Sequence, residues 1–108
     1  MAHDVERKPG AVLSPEEMVE LRRHMALWKD ETSAQSSIHV MAMHPSYQRI
    51  IGMGRPALPL LLQELQREPN QWFWALNAIT GEDPGEPYED FDLAVERWLS
   101  WGRERGYL

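Results

Sequence analysis

Three kinds of side chain in this sequence could carry chemistry: four histidines, a run of carboxylates and a set of large aromatics. The histidines are His3, His24, His39 and His44, and no HExxH spacing occurs among them. His39 and His44 lie five apart. A zinc site built on them would need a third ligand from elsewhere, so packing and capping are the simpler roles, and no metal or other cofactor is expected. Ser46 follows His44 by two residues, but there is no GxSxG and nothing marks an oxyanion hole. The GMGRP segment lacks the Lys-Ser/Thr and the preceding strand of a phosphate loop. The chain has no cysteine, which removes disulfides, thiolate zinc sites and a Cys nucleophile together. No catalytic residue is assigned.

The carboxylates are Glu82, Asp83, Glu86, Glu89, Asp90, Asp92 and Glu96, and residues 82–96 hold no Lys or Arg. One use for them is a docking face for a basic partner, or a mimic of a nucleic-acid backbone. A calcium loop would need the D-x-[DN]-x-[DN]-G pattern, which is absent. The plainer alternative is a solvated loop with acids near a helix N-terminus, where the dipole favours them. Such a loop is a poor place to raise a carboxylate pKa for acid–base work, because water screens it.

The aromatics are Trp28, Trp72, Trp74, Trp98 and Trp101, with Tyr47, Tyr88 and Tyr107. Trp and Tyr are enriched at interface hot spots, where a rigid ring fills a partner pocket. Trp28 and Trp98 fall on apolar stripes and read as core. Trp72, Phe73 and Trp74 are consecutive. Successive helix residues point about 100° apart, so three adjacent rings cannot all face one core. Trp72 or Trp74, and Trp101, are the candidates for a contact surface. Trp98 and Trp101 share a face, so Trp101 could instead extend the core. An alternative site is an aromatic-lined pocket formed by Tyr47, His44 and Arg49 with Trp72. A nucleic-acid reading would use Arg103 and Arg105 beside Trp101 and Tyr107, stacking on bases.

These residues must be held by helices. Residues 1–13 mix charges with Pro9 and Gly10 and read as a mobile arm. Residues 14–108 read as one helical domain. Ser14, Pro15 and Glu17 make a capping box with Pro at the first helical position. Met18, Leu21, Met25 and Trp28 then form one apolar stripe. Residues 30–43 are ambiguous, with Ser36 or Ser37 able to cap a short helix through Ile38, Val40 and Met41. His44-Pro45 opens the next helix, which Gly52 and Gly54 end. Pro56 to Arg67 follows, with Leu58, Leu61, Leu62 and Leu65 on one face. Asn70 is placed to cap a helix that runs to Thr80 and stops at Gly81. GEDPGEPYED is a loop, and Asp90 or a neighbour caps a last helix whose buried stripe is expected to be Phe91, Ala94, Val95, Trp98 and Leu99. Gly102 and Gly106 are expected to weaken its end, with Tyr107-Leu108 folding back.

A chain of 108 residues fits one domain with a modest core. The formal net charge is −6 and the pI about 5.1. That balance argues against non-specific nucleic-acid binding, which Lys and Arg drive, and against docking on an anionic membrane. It suits a basic protein partner. No apolar run approaches the roughly 18 residues of a membrane span, and MAHDVERKPG has no apolar core of a secretory signal. A cytoplasmic protein of bacterial or phage origin is expected, with homo-oligomers allowed.

The span 54–81 resembles a single HEAT-type repeat of the bacterial helical-repeat families. The entry is Gly54-Arg55-Pro56, the first helix carries Ala57, Leu58, Leu61, Leu62 and Leu65, and the second carries Ala75, Leu76, Ala78 and Ile79. Gln71-Trp72-Phe73-Trp74 stands where such repeats usually open with Arg. The segments HPSYQRIIGMG, WFWALNAITGEDP and WLSWGRERGYL are also similar to a group of small bacterial proteins. The resemblance implies an all-α fold of four to five short helices packed as HEAT-like antiparallel hairpins.

The expected function is a non-catalytic protein-interaction module, such as a small acidic inhibitor, an antitoxin or immunity protein, or an adaptor. Its expected partner contacts are Trp72, Trp74, Trp101 and Tyr88, with Glu82, Asp83, Glu86, Glu89 and Asp90 attracting a basic surface. The rivals are a small enzyme or ligand-binding protein using the aromatic pocket, and a nucleic-acid binder.

Overall fold

The computed structural model describes residues 12–108, and those residues form helices and turns with no strand. Most of the expected arm, residues 1–11, lies outside the described residues. Leu13 already packs against the core. The helices are α1 (Pro15–Glu31), α2 (Ile38–Ala42), α3 (Pro45–Met53), α4 (Leu58–Arg67), α5 (Phe73–Thr80) and α6 (Phe91–Glu104). A short 3₁₀ turn, Arg55–Ala57, leads into α4. The chain is therefore all-α, and α2 makes the count six among the described residues. No helix there is long and apolar enough to cross a membrane.

Local chemistry sets most of the boundaries. Ser14 and Glu17 close a reciprocal capping box at α1. Ser37 Oγ accepts from the Val40 N–H to start α2, and Asp90 Oδ1 accepts from the Leu93 N–H to start α6. Gly81, in the left-handed region at φ 75°, ends α5. The C-terminus of α6 is a Schellman motif around Gly106, with the Tyr107 N–H bonded to the Gly102 carbonyl at 2.8 Å and the Gly106 N–H to Arg103 at 3.2 Å. That motif folds Tyr107 back, and its ring stacks on Trp101 with centroids 5.6 Å apart.

The main packing seams are α1 on α3, α3 on α5, and α4 on α6. The two helices of the 54–81 span thus each find their main partner elsewhere. Gly102 does not weaken α6. It is buried where α6 crosses α4, and a Cβ there would come within 2.8 Å of Leu62. The glycine permits the close approach.

At the centre, Trp28 from α1, Tyr47 from α3 and Trp72 at the mouth of α5 form one aromatic cluster. Trp28 and Trp72 have centroids 4.4 Å apart, and the Tyr47 and Trp72 rings are near parallel at 5.8 Å. All three are fully buried. The Trp28 indole N–H donates to the Met41 carbonyl at 2.8 Å and ties α1 to α2. The Trp72 indole N–H is buried without a hydrogen-bond partner among the described residues. The Tyr47 hydroxyl donates to the Gln71 carbonyl and accepts from the Ala75 N–H, both at 2.9 Å. Ala75 is the third residue of α5, the position a side-chain cap normally satisfies. Asn70 does not cap α5 as expected; its carboxamide bonds the Gln71 N–H instead. The cap comes from another helix. Burial also pushes the Tyr47 phenol well above its ordinary pKa.

Charged side chains brace the outside. Lys29 on α1 reaches Glu64 at 2.9 Å and Glu68 on the far end of α4, and Arg67 joins Glu64. Burial alone would raise the Glu64 carboxyl, but the bonds from Lys29 and Arg67 outweigh it and hold it below its ordinary value of 4.5. A carboxyl held lower in the folded chain stabilises it above the ordinary pKa, and that contribution disappears as pH falls through the folded value.

Two outcomes follow. Tyr47→Phe keeps the ring and removes the cap, so urea denaturation should show a loss of about 1–3 kcal/mol, as for a buried donor left unpaired. Glu64→Gln should be less stable than the native chain at pH 7, with the gap closing below about pH 4.5. A gap that stays constant down to pH 3 would refute the ion-pair account.

Candidate functional site

The three consecutive aromatics fan out at the start of α5, and their exposures separate their roles. Trp72 is 0% exposed, Phe73 8% and Trp74 38%. Trp72 belongs to the central cluster, Phe73 lies beneath the surface, and Trp74 faces outward against the His39 ring at 5.7 Å. The 100° step between neighbours produces this division, and the Tyr47 cap fixes which of the three turns inward.

Trp74 and Phe73 line a surface groove of about 320 Å³. Ile38 on α2, Tyr88 and Phe91 line it as well. Gln71, Asn77 and Asp83 complete the lining. Ile38, Trp74, Tyr88 and Phe91 are each more than a third exposed. The Phe73 ring meets Tyr88 at 5.2 Å and Phe91 edge-on at 5.4 Å. The groove is thus built from four separate segments, and its aromatic floor is continuous with the core.

Tyr88 is held from behind. Its hydroxyl donates to Asp83 Oδ1 and accepts from the Trp98 indole N–H at 3.1 Å. Partial burial and the Asp83 carboxylate push its phenol up to about 12. Gly85 leaves room for this arrangement, since a Cβ there would lie 2.7 Å from the Tyr88 ring and 3.1 Å from Trp98 Nε1.

The acids of the 82–96 segment divide. Glu82 accepts from the Trp101 indole N–H at 3.0 Å and from Arg105 at 2.9 Å, and Arg105 lies over the Trp101 ring at 4.9 Å. Asp83 holds Tyr88, and Asp90 caps α6. These three are structural ties first. Glu86, Glu89, Asp92 and Glu96 have exposed side chains near the groove in sequence, though the Glu86 carbonyl accepts from Arg97.

Several expected contacts need correction. Trp72 and Trp101 are buried, at 0% and 5% exposure, so neither ring offers a partner a surface; Trp101 extends the core beside Trp98, with centroids 5.3 Å apart. Tyr47, His44 and Arg49 do not form a pocket. Tyr47 is internal, Arg49 is exposed, and His44 caps α3, its Nδ1 accepting from the Ser46 N–H at 3.0 Å. That leaves the proton on Nε2, which faces Glu31 at 2.6 Å. His24 bridges Ser46 Oγ at 3.1 Å and Glu20 at 3.2 Å. The residue types of this chain are those of a nucleophilic relay, but Ser46 is buried in the α1–α3 seam, and the three residues act as a bracket between those helices. No group of three or more His, Asp and Glu able to hold a metal occurs among the described residues.

Sequence placed Ile38 and Phe73 on helices without marking either as a contact residue, and it put Phe91 on the buried stripe of α6, whereas Phe91 is 37% exposed at the first position of that helix. The signal was present for α2: Ile38, Val40, Met41 and Ala42 are too many apolar residues for one buried face of a five-residue helix, and only Met41 and Ala42 are buried. Two further concavities occur among the described residues: a cleft of about 380 Å³ between α1 and α4, where Lys29 and Arg67 are already paired with Glu64, and an open, mostly polar depression of about 670 Å³ lined by residues such as Lys29, Thr32, Gln35 and Glu68.

Gly85→Ala should force the Tyr88 ring off Trp98 and cost about 1–3 kcal/mol, the usual range for overpacking. The Trp98 indole N–H resonance should move with it, and an unmoved resonance would show that Gly85 does not set the groove. The chain matches no family model, no curated protein and no solved structure.

Proposed function

We propose that this protein is a non-catalytic interaction module that docks a basic protein segment in the groove between α2, α5 and the start of α6. The observation that carries this reading is the convergence of Ile38, Trp74, Tyr88 and Phe91, all partly exposed, on one concavity lined by a carboxylate. Large rigid rings around a concavity are the usual anchors of an interface. The backing of Tyr88 by Asp83 and Trp98 lowers the ordering cost of binding.

Charge supports a basic partner. The exposed Glu86, Glu89, Asp92 and Glu96 and the net charge of −6 raise encounter rates with a cationic surface. They equally oppose a symmetric contact between two copies, which would set the same acids against each other. A small inhibitor, antitoxin or immunity protein, or an adaptor, would use the site by occluding or holding its partner. A cytoplasmic setting suits such a role.

Trp74→Ala should leave the chain folded, because the side chain is outward, and should weaken a partner recovered by cross-linking at least about 30-fold, the level of an interface hot spot. Glu86→Lys with Glu89→Lys should slow association and flatten its salt dependence without changing the dissociation rate. Recovery of the same proteins by the Trp74→Ala variant would end the proposal.

A further inference from the structure

We infer that the groove is an arginine-recognition pocket: its aromatic walls and single carboxylate fit one guanidinium side chain presented by the basic partner. This rests on the docking function proposed above and specifies which side chain that partner inserts.

The argument starts from the lining. Trp74, Phe73, Tyr88 and Phe91 all line the groove, and the Phe73 ring packs against both Tyr88 and Phe91. Aromatic faces carry negative potential and attract a cation placed against them. Asp83 lines the same groove, and its Oδ1 is engaged by Tyr88. Its Oδ2 has no partner among the described residues. Asn77 also lines the groove; its amide nitrogen donates to the Glu82 carbonyl, and its side-chain oxygen remains an available acceptor among the described residues. The site therefore offers π faces and oxygen acceptors and lacks a paired cation of its own.

Geometry then selects between the two basic side chains. Guanidinium is flat, weakly hydrated and carries five donors in one plane, so it stacks between rings while bonding a carboxylate and an amide oxygen at its edge. An ammonium is compact and strongly hydrated, and flat walls satisfy it poorly. A volume of about 320 Å³ admits one such side chain with the apolar residue beside it resting on Ile38. A second copy of the chain is disfavoured by the exposed acids, and an anionic lipid surface is disfavoured for the same reason.

The test uses three pentapeptides, acetyl-Gly-Leu-X-Leu-Gly-amide with X as arginine, lysine or citrulline, titrated into the full-length protein at low salt. Citrulline keeps the shape of arginine and removes the charge. The readout is the Trp74 indole N–H shift together with calorimetry. The arginine peptide should bind several-fold tighter than the lysine peptide and at least about tenfold tighter than the citrulline peptide, within the range of a desolvated cation–π contact plus a charged hydrogen bond. Asp83→Asn, which keeps an acceptor for Tyr88, should remove most of the preference for arginine over citrulline. Citrulline binding as well as arginine would overturn the inference while leaving the docking groove standing. Lysine binding as well as or better than arginine would also overturn it. If no peptide moves the groove resonances while the spectrum shows a folded chain, the inference and the docking site fall together.

Discussion

The whole arrangement depends on one hydroxyl. Tyr47 reaches from α3 to the first turn of α5, taking the place of a side-chain cap that Trp72 cannot supply. Because the same oxygen also holds the Gln71 carbonyl, the entry to α5 is clamped on both sides of its first residue. The phase of the helix is then set, and with it the direction of each ring in the 72–74 run. A rotation of α5 by one residue would bury Trp74 and expel Trp72 from a cluster it fills completely. The surface groove is thus an outward projection of a decision made in the core.

Elements whose signals are local were legible in the sequence. The capping box at Ser14 and Glu17, the Ser37 and Asp90 caps, the Gly81 stop and the Leu stripe of α4 each depend on groups within one or two turns. What was not legible came from elsewhere in the chain. Asn70 looked like the cap of α5 because nothing nearby announced Tyr47, 28 residues away. Gly102 looked like a helix breaker because its reason is Leu62 on another helix. Glu82 and Asp83 looked like free acids because Trp101, Arg105 and Tyr88 meet them only after folding. Trp101 was ambiguous for the same reason: spacing placed it beside Trp98, and Tyr107, Arg105 and Glu82 meet it only after folding.

The loop between α5 and α6 illustrates how one segment serves two ends. Glu82 and Asp83 face inward to indole and phenol donors, and Asp90 faces the α6 backbone. The acids between and beyond them are left to water. A loop with Pro and Gly at such density would ordinarily be a mobile connection. Here a carboxylate at each end fastens it, so the negative charge it carries is presented from a fixed place. Preorganised charge of this kind acts on a partner without the ordering cost of a free tail.

The separation of the five indoles also makes the molecule optically divided. Trp28 and Trp72 lie 4.4 Å apart in one part of the core, and Trp98 and Trp101 lie 5.3 Å apart in another part of it. At such spacings excitation passes between neighbours faster than it is emitted, so each pair behaves as a single chromophore sealed from aqueous quenchers. Of the five, Trp74 alone is substantially exposed to water, at 38%. Its emission is the red, quenchable fraction of the protein's light, and it issues from the wall of the groove itself.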